Sequence, residues 1–144
     1  MGYTLREHTA DVAVEATGET IDEVFGAVAD GMAAAMCDAV PDGGERFSLT
    51  VTAEGREQLL FDYLDELIYE RDVRGVLPVN NAASVTRPAY VDEESTDGEW
   101  RVDATARGVP LSDVEARDLK AVTYSEMDLS ETAEGWHAYV VFDV

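Results

Sequence analysis

The sequence predicts a single α+β domain with a mixed or antiparallel β-sheet and two main helices packed on one face. Its 144 residues match the commonest domain size. Two long segments repeat apolar residues at helical spacing, and most of the rest alternates apolar with polar residues in short runs. The order of strands, helix, strand, helix and then a run of strands is typical of α+β folds. No repeat or linker divides the chain, so we expect residues 1–144 to form one domain.

The first half of the chain is predicted to hold three strands and two helices. "YTLREH" and "VAVEA" alternate as strands, and so does "ERFSLTVTAE". Between them, Thr20 followed by Glu23 is a capping box that begins a helix ended by "VPDGG". The apolar face of this helix consists of Ile21, Val24, Phe25, Val28, Met32 and Met36. The second helix, "REQLLFDYLDELIYERD", has an apolar stripe made of Leu59, Leu60, Tyr63, Leu64, Leu67 and Ile68.

The second half changes to strands. The candidate strands are "GVLPV", "AASVTRPAYV", "EWRVDATARGV", "LKAVTYSEMDL" and "GWHAYVVFDV". Polar segments such as "DEESTDGE" and "SETAEG" have the composition of turns between them.

Charge is the strongest global signal, because 31 acidic residues face 10 basic ones for a net charge of -21. Nine of the basic residues are arginines, and Lys120 is the only lysine. Such self-repulsion destabilises a compact state unless salt screens it, and at molar salt the Debye length falls to about 3 Å. We therefore hypothesise a cytosolic protein of a halophile. Unfolding in high salt, measured by circular dichroism, would contradict this.

Several classes of function are disfavoured. No basic stripe interleaved with aromatic residues is present, so we do not expect autonomous nucleic-acid binding. The N-terminal residues lack a signal-peptide pattern and no segment has the apolar length of a membrane span, so we expect a cytoplasmic protein without membrane association. The general phosphate-loop, dinucleotide, zinc-protease and hydrolase motifs are absent. One cysteine, Cys37, and two histidines are too few for the four nitrogen or sulfur ligands of a structural zinc site, and Cys37 fits a buried thiol.

Carboxylates at strand ends are the remaining candidates for chemistry. Asp11 follows "HTA", and Asp143 lies beside Val144, the last residue, within the apolar "VFDV". Grouped oxygens of this kind suit Ca²⁺ or Mg²⁺. The alternative, preferred from spacing alone, is that Asp11 caps a turn and Asp143 faces solvent. His8 has similar alternatives: a ligand, a turn residue, or a group that orients Asp11.

Lys120 lies in the strand-like run "DLKAVTYSE". It could neutralise acidic side chains or contact phosphate as a point charge. Because the chain otherwise uses arginine, we expect a specific role for Lys120. Asp62 and Asp65 of the second helix are interpreted instead as part of a solvated face.

"HTADVAVEATGETIDEVFGAVADGM", "LLFDYLDELIY", "ARGVPL", "KAVTYSEM" and the terminal "VFDV" resemble the archease family in order and spacing over essentially the whole chain. The resemblance implies a small α+β protein, itself no enzyme, that activates the GTP-dependent RNA ligase joining tRNA exons. It would promote guanylylation of the ligase and its multiple turnover. The family carries a divalent metal, assigned as calcium, and the matching positions are Asp11, Asp143 and Val144. Mg²⁺ and Mn²⁺ would also suit these oxygens.

Two features depart from the family pattern. Ser125 stands where many members have histidine after "KAVTY", and the acidic "SDVEARD" replaces a basic stretch before Lys120. By this resemblance Lys120 and His8 are candidates for the activating function.

Two other functions compete with ligase activation. One is a chaperone-like binding module for RNA-modifying enzymes such as a tRNA methyltransferase, with a purely structural metal. The other is a metal-dependent hydrolase that uses Asp11 with His8 as base. Few candidate acids, bases or nucleophiles support the hydrolase.

Overall fold

A computed structural model describes residues 2–8, 11–88 and 99–144, and it confirms the α+β class. The elements in chain order are β1 (Gly2–His8), β2 (Asp11–Gly18), α1 (Ile21–Met36), β3 (Glu45–Ala53), α2 (Arg56–Arg74), β4 (Val76–Thr86), β5 (Trp100–Pro110), β6 (Ala121–Thr132) and β7 (Gly135–Asp143). A short 3₁₀ turn, Leu111–Asp113, follows β5. Most of the predicted turn "DEESTDGE" lies outside the described residues.

The described strands form two antiparallel sheets. One sheet has four strands in the order β1-β2-β7-β6, and the other has three in the order β3-β5-β4. Each helix contacts strands of both sheets: α1 contacts β2 and β4, and α2 contacts β3 and β6. The apolar core therefore lies between the two sheets, around the helices.

Helix α1 begins at the predicted cap. The Thr20 hydroxyl accepts a hydrogen bond from the Glu23 amide at 3.2 Å. The Glu23 carboxylate accepts from the amide of Glu19 at 2.8 Å, one residue before the cap. The predicted apolar face is buried, and so are further small residues: Gly26, Ala27, Ala29, Gly31 and Ala33. They are small because strands approach closely, and a Cβ on Gly31 would lie 2.5 Å from a methyl group of Val14.

Helix α2 has the predicted buried stripe and ends at Gly75. Gly75 adopts the left-handed conformation with φ 65°, and its amide donates to the carbonyl of Arg71 at 2.9 Å. Within the core, the rings of Phe25 and Tyr63 stack with centroids 5.9 Å apart. Across the parts of the chain that the structure describes, no helix is both long and apolar enough to cross a membrane.

Two predicted strands are one continuous strand in the structure. "GVLPV" and the first part of "AASVTRPAYV" share β4, which ends at Thr86 and has an irregularity between Val79 and Ala82. The last three residues of the second segment, 89–91, lie outside the described residues. Asn80 at this bulge has φ 48°, an uncommon value for a residue other than glycine. Arg46 donates to the Asn80 carbonyl at 2.9 Å, and Arg107 donates to its side-chain oxygen at 2.8 Å. These long-range hydrogen bonds stabilise a bulge that local sequence patterns do not reveal.

Side chains along β2 and β7 point alternately into the core and to the opposite face of the sheet, which we call the outer face. Val14 and Ala16 of β2 belong to the core. Because successive side chains of a strand point to opposite faces, Asp11 and Glu15 lie on the outer face. The outer face of the four-stranded sheet thus carries the carboxylates that the sequence singled out.

Candidate functional site

Asp11 and Asp143 lie directly opposite each other across two neighbouring strands. The pairing of β2 with β7 starts at Asp11, the first residue of β2, and Asp143, the last of β7. Side chains at such positions share a face, with Cβ atoms about 4.5–5.5 Å apart. Asp11 is half-buried, whereas Asp143 and the following Val144 are exposed. The structure therefore brings the two predicted aspartates together at the end of the sheet.

The chemistry of these groups fits a hard cation. Carboxylate oxygens are the donors that Ca²⁺, Mg²⁺ and Mn²⁺ prefer. Within the described residues, no group of three or more His, Cys, Asp or Glu side chains could hold a metal ion. Asp11 and Asp143 would therefore need further oxygens, from Val144, from water or from a partner, to complete a shell of six or more. Metal binding at this place stays a prediction.

Lys120 lies beside Asp143. It immediately precedes β6 instead of lying within a strand, and its backbone amide donates to the carbonyl of Asp143 at 2.8 Å. The next residue, Ala121, is directly opposite Asp143 in the pairing of β6 with β7. The side chain of Lys120 is exposed. Lys120, Asp143 and Asp11 therefore occupy adjacent positions along one edge, which we call the carboxylate edge.

A buried arginine fixes the residue before Lys120. Arg71 of α2 is only 8% exposed, and its Nη1 donates to the carbonyl of Leu119 at 2.7 Å and to the sulfur of Met36 at 3.3 Å. Its Nε donates to the carboxylate of Asp72 at 3.0 Å. Since Leu119 is itself buried, this hydrogen bond ties the start of β6 to α2. Our sequence interpretation missed Arg71, although its place on the apolar stripe three residues after Ile68 was a usable signal.

The acidic stretch before Lys120 is anchored to the end of α1. The amide of Arg117 donates to the carbonyl of Met36 at 2.6 Å, and its guanidinium pairs with Asp38 at 3.0 Å. Hydrogen bonding and the charge of Arg117 lower the pKa of Asp38, and the same pair raises the pKa of Arg117. This segment therefore reaches Lys120 from a fixed point on the helix.

A second cluster on the outer face surrounds His137, which the sequence did not single out. Its Nε2 lies 3.0 Å from a carboxylate oxygen of Glu15, and its Nδ1 lies 3.4 Å from Asp128. The hydrogen bond to Glu15, more than any other contact, raises the pKa of His137. Glu15 is four residues from Asp11 along β2, roughly 13 Å at the rise of a strand. This cluster is consequently separate from the carboxylate edge.

Two other predicted positions have different outcomes. The backbone of His8 pairs with Asp11 across β1 and β2, but its side chain lies outside the described part of the structure, so its role stays a prediction. Ser125 is exposed in an irregular part of β6, where the register shifts between Thr123 and Asp128. A residue at position 125 is therefore open to solvent.

Comparisons with known proteins agree with the sequence resemblance. The model of the family described as "Archease protein family (MTH1598/TM1083)" matches residues 3–144. "Protein archease" of Methanosarcina mazei is 36% identical over 147 residues, which cover 99% of this chain and 95% of that protein. The solution structure of Methanobacterium thermoautotrophicum protein 1598 has a TM-score of 0.78 and 27% identity, covering 99% of both chains. A Thermotoga maritima structure described as "an archease, possible chaperone" has a TM-score of 0.61 at 24% identity and covers 96% of this chain and 94% of that chain.

Proposed function

The chain belongs to the archease family, and on this premise we propose that it activates the GTP-dependent RNA ligase that joins tRNA exons. It acts in the cytoplasm as an accessory protein that promotes ligase guanylylation and repeated turnover. The observation that carries the proposal is the direct pairing of Asp11 with Asp143 at the carboxylate edge.

The reaction to be promoted sets the requirements for an activator. During guanylylation a ligase histidine attacks the α-phosphorus of GTP. A nitrogen–phosphorus bond forms, the bond from the α-phosphorus to the bridging oxygen breaks, and pyrophosphate leaves. Such phosphoryl transfer depends on positioning and on neutralising phosphate charge. A divalent cation at the carboxylate edge, Ca²⁺ in our proposal with Mg²⁺ or Mn²⁺ as alternatives, would supply that positive charge.

The residues of the carboxylate edge have distinct roles in this proposal. Asp11 and Asp143, with Val144, would hold the ion at an end of the sheet that a partner can reach. Exposed Lys120 presents a second positive group next to them, suited to a phosphate oxygen. The hydrogen bond from its amide to the Asp143 carbonyl holds the backbone of Lys120 beside Asp143.

The second candidate is a chaperone-like module for RNA-modifying enzymes such as a tRNA methyltransferase. It is favoured by the description of the Thermotoga maritima protein as a possible chaperone. In that case a metal at the carboxylate edge only joins strand ends. Substituting the aspartates of the carboxylate edge separates the two functions. If the protein is a ligase activator, activation is abolished; if it is a chaperone-like module, only its stability is lowered.

Substitution of either aspartate tests the proposal. Asp11→Ala and Asp143→Ala should reduce stimulated ligase turnover at least about tenfold, as expected when a group that acts on the transition state is removed. Guanylylation of the purified cognate ligase with GTP is measured, and circular dichroism confirms folding. Glu131→Ala is the matched control, because Glu131 is an exposed acid at the opposite end of β6. Full stimulation by both aspartate variants would refute the proposal.

Lys120→Arg asks whether the carboxylate edge needs a lysine in particular. Arginine keeps the charge but replaces a compact ammonium by a planar guanidinium, so we expect ligase stimulation to fall several-fold with stability unchanged. Arg87→Lys, at an exposed position, is the reciprocal control and should stimulate normally. If the Lys120→Arg variant stimulates the ligase as well as the wild type does, the proposal of a specific role for Lys120 is refuted.

A further inference from the structure

The outward side of α2 exposes apolar side chains that the proposed edge does not use. Tyr69 is 56% exposed and Val73 is 63% exposed, the two highest values among large hydrophobic side chains in the described residues. They are four positions apart and so lie next to each other on the helix. Two turns earlier Phe61 packs against Tyr124, which is 47% exposed, with ring centroids 5.1 Å apart. We call these four residues the α2 outer face.

Carboxylates crowd around Tyr69. Asp65, Glu66 and Asp72 are four before, three before and three after it, which places all three around its ring. Burial is the main reason that the pKa of Glu66 is raised, and the negative charges of Glu70 and Asp65 raise it further. Asp72 is paired with Arg71 and Glu70 with Arg74. Asp65 and Glu66 are therefore the carboxylates beside Tyr69 that an approaching cation would neutralise. An acid-rich composition accounts for the carboxylates but not for an exposed tyrosine and valine among them.

The α2 outer face adjoins the carboxylate edge. Its span from Phe61 to Val73 is about 18 Å at 1.5 Å per residue. Tyr124 lies in β6 three residues after Ala121, the residue directly opposite Asp143, which is roughly 10 Å along the strand. One partner could therefore contact both places at once.

We propose that the α2 outer face docks a cationic, arginine-bearing surface of the partner enzyme. An arginine of that partner stacks on the ring of Tyr69 and pairs with Asp65, and an apolar side chain covers Val73. A planar guanidinium suits this place because it binds an aromatic face and a carboxylate together. The inference rests on the proposed function, since it takes the RNA ligase as the partner.

Binding of the purified cognate ligase tests this surface, measured by calorimetry and by association kinetics at several salt concentrations. The double variant Tyr69→Ser/Val73→Ser should bind roughly tenfold or more weakly, as buried aromatic anchors do when truncated. Asp65→Lys should slow association and flatten its salt dependence, since charges at an interface mainly steer encounter. Val40→Ser, at an exposed apolar position in a loop, and Glu131→Lys are the matched controls and should bind as the wild type.

The outcomes separate this inference from the proposed function. Asp65→Lys removes a repulsive charge, so its melting temperature should stay the same or rise, and a loss of affinity cannot then be attributed to unfolding. If the wild type stimulates the ligase and the α2 variants bind it normally, or if the controls weaken binding equally, the docking surface is refuted alone. If the wild type neither binds nor stimulates the ligase, the proposed function and the docking surface are both refuted.

Discussion

Acidic residues have different surroundings at the two ends of the outer face of the four-stranded sheet. At one end Glu15 and Asp128 lie on either side of His137, at 3.0 and 3.4 Å. At the other end Asp11 and Asp143 are directly opposite each other, and the backbone amide of Lys120 donates to the carbonyl of Asp143. The first cluster encloses its own imidazole, as a structural cluster does. The second includes the exposed Asp143 at a strand terminus, where an ion or a partner can reach it.

The largest effect we expect concerns the support of the carboxylate edge. Arg71→Met keeps the length of the side chain but leaves the buried carbonyl of Leu119 without its donor, at a cost of about 3 kcal/mol in the free energy of unfolding. Urea unfolding measures this loss. Arg117→Met, which removes an exposed ion pair with Asp38, is the control and should cost much less. An equal loss in the free energy of unfolding for the two variants would show that the buried hydrogen bond stabilises the fold no more than the exposed ion pair does.

A calcium titration sharpens the comparison between the two ends. If Asp11 and Asp143 hold the ion, Ca²⁺ at 100 times its dissociation constant should stabilise the wild type by about 2.7 kcal/mol. Asp143→Asn should lose this response, whereas Asp128→Asn, at the His137 end, should keep it. Thermal unfolding with and without chelator measures the difference. A response that survives in Asp143→Asn would place the ion elsewhere, and a wild type without a response would contradict the site.

The smallest effect concerns His137 and depends on pH. Because the folded-state pKa of His137 is raised above its ordinary value, its stabilisation is complete below the unfolded pKa of about 6.5 and is lost as pH rises through the folded pKa. His137→Gln should therefore be less stable than the wild type near pH 5.5 (about 1 kcal/mol or less) and equal to it near pH 9. Denaturant unfolding at both pH values measures this. In a Glu15→Gln background the difference should shrink, and a difference that grows with pH would contradict the assignment.

Local sequence patterns predicted most of the elements because they depend on neighbouring residues. The capping residue Thr20 placed the start of α1. Gly75, whose left-handed backbone ends α2, was instead assigned to the following strand. The patterns failed where distant groups decide the backbone. β4 continues through a bulge at Asn80 because Arg46 and Arg107 bind it from other strands.

The candidate site was only partly predictable for the same reason. Composition and the family resemblance pointed to Asp11, Asp143 and Lys120, all of which occupy the carboxylate edge. Arg71 was missed because a charged residue on an apolar stripe is ordinarily assigned to the surface, and only the structure shows its buried acceptor at Leu119.

By itself the sequence determined the fold class, the apolar stripes of both helices, the start of α1 and some of the residues able to carry chemistry, since periodicity, caps and composition are local properties of a chain. The tertiary structure alone decided which of those residues meet. Strand register sets Asp11 opposite Asp143, and it brings His137 to Glu15 across 122 positions of the chain. The physical reason is that pairing between distant strands follows from burying both sheets against the same two helices, a condition that no short segment of sequence contains.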